Sequence, residues 1–111
     1  MAVRIITRVK ICGDKFFFSM GPMELFEQID RHSSIKKAAE QMEMSYTKAL
    51  RIIRVAEAEL GFPLVISEKG GNNRGQTRLT EKGKQVLKAF EEIQLEVSDY
   101  AQKLFDEKFR F

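Results

Sequence analysis

The middle of the chain carries start and stop signals for two short helices, and their spacing constrains the fold more than any other feature. Ser34 and Ser45 each precede a helical pattern of apolar residues, and serine is a favoured N-cap because its hydroxyl accepts an N–H of the first turn. Gly61 suits the left-handed position that ends a helix, and Pro63 cannot continue one. The sequence therefore predicts two helices joined by a tight turn, the second running over 46–60.

Strand-like segments flank this helix pair. Residues 3–11 alternate between apolar and basic side chains, with Ile6 as the exception, and a Gly-Asp break and three phenylalanines follow. This pattern predicts a β-hairpin over 3–19. A second β-prone pair surrounds a stretch rich in Gly and Asn, which predicts a wing over 66–79. Thr80 is a suitable N-cap for a last helix that extends to residue 109.

Together these elements predict a mainly α fold with a small β component (α+β), a winged helix-turn-helix. The 111 residues are enough for one domain of ordinary size. Within that domain, 1–111, we expect the hairpin at 3–19, the winged helix-turn-helix at 21–79 and a long C-terminal dimerisation helix at 80–109.

Composition excludes several classes of function. A lone Cys12 and a lone His32 leave no disulfide framework, little for a metal site and no nucleophile–base–acid set for an enzyme. We therefore expect neither metal nor cofactor. No apolar run approaches the roughly 18–20 residues of a membrane span, so no membrane partner is expected. These features favour a cytoplasmic, nucleoid-associated protein.

Positive charge is concentrated in three segments. The chain carries a net charge of +3, and residues 1–20, 45–60 and 61–78 sum to +3, +1 and +2. These segments could converge on one polyanion. On a helical wheel of 46–60, the buried face is formed by Ala49, Ile53, Ala56 and Leu60. Arg51 and Arg54 share the opposite face. Long donors without carboxylates in front suit the edges of bases and phosphates in a major groove.

The candidate DNA contacts come from the two helices and the wing. The wing residues Lys69, Asn72, Asn73 and Arg74 suit phosphate or minor-groove contact, and the pattern of a nucleotide-binding P-loop is absent. The full predicted set is Ser34, Lys36, Ser45, Tyr46, Thr47, Lys48, Arg51, Arg54, Lys69, Asn72, Asn73 and Arg74.

The last helix carries a heptad pattern. Six apolar residues are spaced alternately by four and three positions, and one small domain leaves little for so long a stripe to pack on. We call this stripe the seam and expect it to join two copies of the chain. The flanking positions show no consistent complementary charge and leave the relative direction of the two helices open. The seam comprises Val86, Phe90, Ile93, Val97, Tyr100 and Leu104.

Five segments resemble the N-terminal DNA-binding domain of the ModE family of molybdate-responsive regulators, which is similar to the LysR-type winged helix. They are SIKKAA (34–39), MSYTKA (44–49), ELGFPLV (59–65), GGNNRG (70–75) and RLTEKG (78–83). The resemblance covers about 3–109. It implies DNA contacts by Ser45, Tyr46, Thr47, Lys48 and Arg51 and by the wing around Lys69 to Arg74, and a homodimer through the terminal helices.

This chain departs from the family pattern at two positions and in extent. Ser33 stands where the family usually has Gly, and Leu50 stands where ModE-like members often carry Trp, so a different base preference is expected. The sequence ends at residue 111. The family's C-terminal oxyanion-binding domains are not among these residues, and molybdate sensing is not carried over.

The sequence thus favours a homodimeric regulator that binds double-stranded DNA. The recognition helix over 45–60 would enter the major groove, and the wing over 66–79 would contact the backbone or minor groove. The alternative is a winged-helix module that binds proteins and works with a separate sensor protein. An acidic recognition face would have favoured that alternative, whereas the face is basic.

Overall fold

A computed structural model describes residues 3–68 and 76–111 and contains four helices and two small sheets in that part of the chain. The fold is mainly helical, as the sequence predicts. In chain order the elements are β1 (Ile11–Cys12), β2 (Phe16–Phe18), α1 (Met20–His32), α2 (Ile35–Gln41), α3 (Tyr46–Leu60), β3 (Val65–Ser67), β4 (Thr77–Leu79) and α4 (Glu81–Lys108).

The N-terminal hairpin is shorter than the alternation predicts. β1 and β2 form an antiparallel ladder of only two and three residues. Residues 3–10, which we call the N-terminal arm, form no strand, so the predicted strand over 3–11 is wrong in extent. No neighbouring strand is present to pair with the arm in the described chain. Instead, the side-chain amide of Gln94 in α4 bonds to the backbone of Thr7 and Val9.

Phenylalanines join the hairpin to the helices. Phe18 is buried, with its ring centroid 5.8 Å from that of Phe26 in α1 and 5.0 Å, edge-on, from that of Phe90 in α4. Phe17 is buried as well, whereas Phe16 is 57 % exposed. Two of the three consecutive phenylalanines therefore build the core. The remaining buried helix residues are Met23, Leu25, Ile29, Ala38, Ala39, Ala49, Ile53 and Ala56.

A left-handed residue forms the corner between α1 and α2. Ser33 has φ 54° and ψ 32°, and its N–H donates to the carbonyl of Ile29 at 2.8 Å. Its own carbonyl accepts the N–H of Thr77 in β4 at 2.9 Å. The residue that ends α1 through its N–H therefore also anchors the wing through its carbonyl.

One junction joins α3, the base of the wing and α4. The Glu57 carboxylate in α3 accepts the N–H of Leu64 at 2.8 Å. The hydroxyl of Thr80 donates to the carbonyl of Pro63 at 2.8 Å and accepts the N–H of Gly83 at 2.9 Å, and the Thr80 N–H donates to the Leu64 carbonyl at 2.9 Å. The predicted N-cap of the last helix is confirmed, and it also attaches that helix to the wing.

Gly83 is needed at this junction because the first turn of α4 lies directly against the backbone of Leu64. It is buried in the first turn of α4, and a Cβ at this position would overlap the carbonyl oxygen of Leu64. A backbone atom that already accepts a hydrogen bond cannot move away easily. Glycine here allows the helix to start directly against the wing.

Helix α4 extends beyond the body of the domain. Its 28 residues span about 42 Å. The radius of gyration is 16.9 Å, compared with about 13 Å for a compact chain of this length. Only Gly83 and Phe90 are buried in α4, so the 18 or so residues after Phe90 leave the domain's own core.

A pair of carboxyl groups lies where α1 meets α4. Burial raises the pKa of Glu27 above its ordinary value of 4.5, and the nearby carboxylates of Glu91 and Glu24 raise it further, against a smaller opposite effect of Arg31. The folded chain therefore holds this proton more tightly than the unfolded chain. The free energy of unfolding accordingly falls as the pH rises above 4.5 through the folded pKa.

Gly83→Ala should destabilise the domain, although alanine is favoured over glycine by about 1 kcal/mol inside an ordinary helix. The added methyl group must displace the Leu64 carbonyl and weaken the contact with the wing. Thermal unfolding followed by circular dichroism would measure this. Ala89→Gly, at an exposed site in the same helix, is the control for propensity, and a more stable Gly83→Ala protein would contradict the close approach.

Glu27→Gln should raise the melting temperature at pH 7, because it removes a carboxylate whose charged form is disfavoured first by burial and then by two nearby carboxylates. The difference from the unchanged protein should shrink as the pH falls below 4.5, where Glu27 is protonated in both states. Melting curves at pH 4 and pH 7 would check this, with Glu40→Gln on α2 as the control. Equal melting temperatures at pH 7 would show that the carboxylates do not interact.

Candidate nucleic-acid interface

Helices α2 and α3 form the helix-turn-helix, and serine hydroxyls cap both. The Ser34 hydroxyl accepts the N–H of Lys37 at 3.1 Å, and the Ser45 hydroxyl accepts the N–H of Lys48 at 3.1 Å. Both predicted caps are confirmed. Glu43 turns the chain between the helices with φ 54°. Each capping hydroxyl retains its own proton for donation to an oxygen such as that of a phosphate.

Helix α3 has one buried face and one exposed basic face. Ala49, Ile53 and Ala56 are at most 2 % exposed, so they face the core as the helical wheel predicts. Leu60, which the wheel places with them, is only partly buried. The opposite face is formed by exposed side chains, namely Tyr46, Thr47, Lys48, Arg51 and Arg54.

The two acidic residues of α3 are used within the fold. The Glu57 carboxylate binds the base of the wing, and the Glu59 carboxylate accepts the N–H groups of Asp14 and Lys15 at 3.2 and 2.9 Å. Within residues 3–68 and 76–111, the ion pairs are Arg78–Glu68 and Lys84–Glu81, so no cation of α3 is neutralised there. The exposed basic face therefore keeps its full positive charge.

The N-terminal hairpin adds cations beside this face. Lys15 lines a groove of ≈ 440 Å³ together with Arg51 and Arg54, and Lys10 lines a second groove of ≈ 330 Å³ together with Arg51. Two of the three basic segments seen in the sequence are thus brought together. The candidate list did not contain Lys10 or Lys15, although the charge of residues 1–20 signalled them.

The remaining predicted contacts lie on α2 and in the wing. Lys36 is exposed on α2, and Ser34 at its N-terminus is half-buried. Lys69, Asn72, Asn73 and Arg74 lie outside the residues that the structure describes. At the base of the wing, the Arg78 Nε lies 2.7 Å from the Glu68 carboxylate. That pair joins β4 to the residue that follows β3.

The seam divides into a buried part and an exposed part. Phe90 is 1 % exposed and packs on Phe18, so this member belongs to the core of its own chain. Val86 also packs against that core, and Leu104 is half-buried. We call the remaining members the exposed seam: Ile93 at 45 %, Val97 at 41 % and Tyr100 at 62 % exposure.

Two other features, a metal site and a membrane-spanning helix, are absent from the described residues. No group of three His, Cys, Asp or Glu side chains is arranged to hold a metal ion in the part of the chain that the structure describes. Likewise, none of the described helices is both long and apolar enough to span a bilayer.

Comparison with known proteins places this geometry in context. The molybdenum transport protein ModE of Azotobacter vinelandii is 29 % identical over 82 residues, which cover 74 % of this chain and 30 % of that protein. This chain therefore matches less than a third of the length of that relative.

Two solved structures share the fold. The structure described as a CbnR_DBD–DNA complex aligns with a TM-score of 0.57 and 20 % identity over 80 % of this chain and 95 % of that one. VV2_1132, a LysR family transcriptional regulator, aligns with a TM-score of 0.58 and 18 % identity over 81 % of this chain and 31 % of that one.

The family model for bacterial regulatory helix-turn-helix proteins of the lysR family matches residues 20–84, which run from the start of α1 to the first turn of α4. These residues contain the capped helix pair, the wing and the junction at Thr80. The chain belongs to the lysR family of bacterial regulatory helix-turn-helix proteins, and its fold is a winged helix.

Proposed function

We propose that this protein is a homodimeric transcription regulator that reads double-stranded DNA with α3 in the major groove. The observation that carries the proposal is the basic face of α3. Its cations Lys48, Arg51 and Arg54 are exposed and form no ion pair within the described residues, while the carboxylates of its two acids, Glu57 and Glu59, accept backbone N–H groups. Arginine and lysine are the side chains that most often contact guanine edges and phosphates.

The two helix N-termini and the wing complete the proposed contact surface. The N-terminus of α3 at Ser45 favours a phosphate through its free N–H groups and dipole. Ser34 and Lys36 would contact the backbone from α2. The wing over 66–79, through Lys69, Asn72, Asn73 and Arg74, would contact the backbone or the minor groove. The solved relative described as a complex with DNA supports double-stranded DNA as the partner.

The exposed seam supports a second copy of the chain as the other partner. Three apolar side chains along one stripe of a protruding helix remain exposed in the single chain, and such a stripe is typical of an interaction site. A two-fold dimer presents two recognition helices together. The operator is then an inverted repeat whose half-sites lie about one helical turn, or a multiple of it, apart.

Arg51→Ala should lower the affinity for the selected operator by about 1–3 kcal/mol and relax preference at one base position. The operator would first be found by selecting bound duplexes from a random library with the purified protein. Titration by fluorescence anisotropy then measures each variant. Lys88→Ala, which removes the same charge from an exposed site on α4, is the control. Unchanged affinity and unchanged base preference for Arg51→Ala would contradict the role of α3.

Ile93→Asp combined with Val97→Asp should convert the dimer into a monomer and abolish most operator affinity, because the charges would be buried in the seam. Both side chains are exposed in the single chain, so the fold should persist, whereas aspartate at Phe90 would disrupt the core. Sedimentation equilibrium measures the mass. Leu95→Asp is the matched control, since Leu95 is 62 % exposed on the opposite side of α4. A double variant that stays dimeric would exclude the seam.

A further inference from the structure

The N-terminal arm is hydrogen-bonded along one edge in the pattern of a strand. Gln94 accepts the N–H of Val9 through Oε1 at 3.1 Å and donates to the carbonyl of Thr7 through Nε2 at 3.2 Å. A side-chain amide thus binds the arm as a neighbouring strand would. Residues two apart in a strand direct their backbone groups to the same edge. The N–H and carbonyl groups of Ile6 and Arg8 therefore point to the opposite edge.

That opposite edge has no partner in the described chain. No hydrogen bond to the backbone of Arg4, Ile6 or Arg8 is formed within residues 3–68 and 76–111. Burial nevertheless alternates as in a strand, since Thr7, Val9 and Ile11 are partly buried and the residues between them are exposed. The arm is a strand in pattern that lacks a second strand, and open edges of this kind pair with other chains.

Ile6 breaks the alternation at one position on the open side. Its neighbours on that side are Arg4, Arg8 and Lys10, yet Ile6 is apolar and 65 % exposed. A large aliphatic side chain at this position departs from the basic pattern of its neighbours. It is explained if a second apolar side chain covers it.

If the arm continues along α4 before Thr7, it brings Ile6 beside the exposed seam. The arm leaves β1, which pairs with the strand that contacts Phe90, and passes Gln94 at Thr7 and Val9. A strand advances about 3.3 Å per residue and a helix about 1.5 Å. Ile6, two residues beyond Arg8, is therefore expected about four helical residues beyond Gln94, at the level of Ser98 and one residue past Val97.

We propose that the arms of two copies pair as antiparallel strands across the two-fold axis of the dimer, with Ile6 opposite Ile6 of the second copy. This inference rests on the proposed homodimer and fixes the direction of its helices. Gln94 lies about 100° around α4 from Ile93, so the arm occupies one flank of the seam. A two-fold axis brings equal flanks together only when the two α4 helices are antiparallel.

The favourable contacts between the paired arms outweigh the repulsion between their positive charges. The register places Arg4 opposite Arg8 of the second copy twice, once on each side of the axis, and each directly opposed pair of like charges is unfavourable by an amount comparable to a weak cross-strand contact. The pairing adds several backbone hydrogen bonds and a contact between two isoleucines at the axis, each of which is favourable. Under a two-fold axis, the N–H and carbonyl groups on the open edge of one arm face the carbonyl and N–H groups of the second arm. The two identical edges can therefore pair without a change in either chain.

Disulfide trapping tests the register in the absence of DNA. Ile6→Cys in a Cys12→Ser background should form a covalent dimer on mild oxidation, because opposed strand residues lie about 5.5 Å apart between Cα atoms, within the range of a disulfide. Val3→Cys in the same background is the matched control, since Val3 is 64 % exposed on the same arm but lies away from the axis. Equal trapping at both positions, or trapping at Val3 alone, would overturn the proposal.

Sedimentation equilibrium tests the backbone pairing. Ile6→Pro removes the Ile6 N–H from both copies, so the dimer loses two hydrogen bonds. The dissociation constant of the dimer should rise about tenfold. Val3→Pro should have a smaller effect. A dimer unaffected by Ile6→Pro and untrapped by Ile6→Cys would overturn the arm pairing and leave the seam intact. A monomeric unchanged protein would refute the homodimer itself. Loss of DNA affinity with an unchanged dimer would assign the arm to DNA and also overturn the proposal.

Discussion

The carboxylate of Glu57 and the hydroxyl of Thr80 hold the domain together at the point where three elements meet. Glu57 fixes the backbone at Leu64 to α3, and Thr80 fixes Pro63, Leu64 and Gly83 to one another. The recognition helix, the wing and the start of α4 are therefore held in fixed relative positions at one point. Without that junction, the basic face of α3 would have no fixed angle to the wing or to the helix proposed to join two copies.

Both acidic residues of α3 are bound by backbone N–H groups, one at this junction and one at the hairpin. An acid in the last turns of a DNA-reading helix would repel phosphate if it were free. Here the fold uses both acids as acceptors for backbone N–H groups, Glu57 for the wing and Glu59 for the turn of the hairpin. These hydrogen bonds fix both carboxylates on backbone N–H groups, so neither forms an ion pair with Arg51 or Arg54, although Glu59 lines the same groove as these two arginines.

Much of this architecture could be predicted from the sequence because its signals are local. Ser34, Ser45 and Thr80 cap helices, and Gly61 ends α3 with φ 83°. These assignments need only a few neighbouring residues. The buried face of α3 followed from its period in the same way.

The sequence predictions that failed, or that missed a residue, concern contacts between residues distant in sequence. The alternation of residues 3–11 predicts a strand, but its backbone bonds to Gln94, 85 positions further along the chain from Val9. The heptad pattern includes Phe90, which fits the spacing but packs on Phe18. Lys10 and Lys15 reach the basic face only because the hairpin docks on α3. A periodic pattern reports which residues share a face and does not identify what covers that face.

Ser33 and Glu43, the two residues that turn the chain before and after α2, hold positive φ angles without being glycine. Each such residue stores strain of roughly 1 kcal/mol, which is appreciable for a small domain. Replacing Ser33 or Glu43 with glycine would relieve this strain and raise the free energy of unfolding. We call this unused stability the reserve of the helix-turn-helix. That reserve gives evolution, or an engineer, room to accept costly changes on the DNA-facing surface without unfolding the domain that presents it.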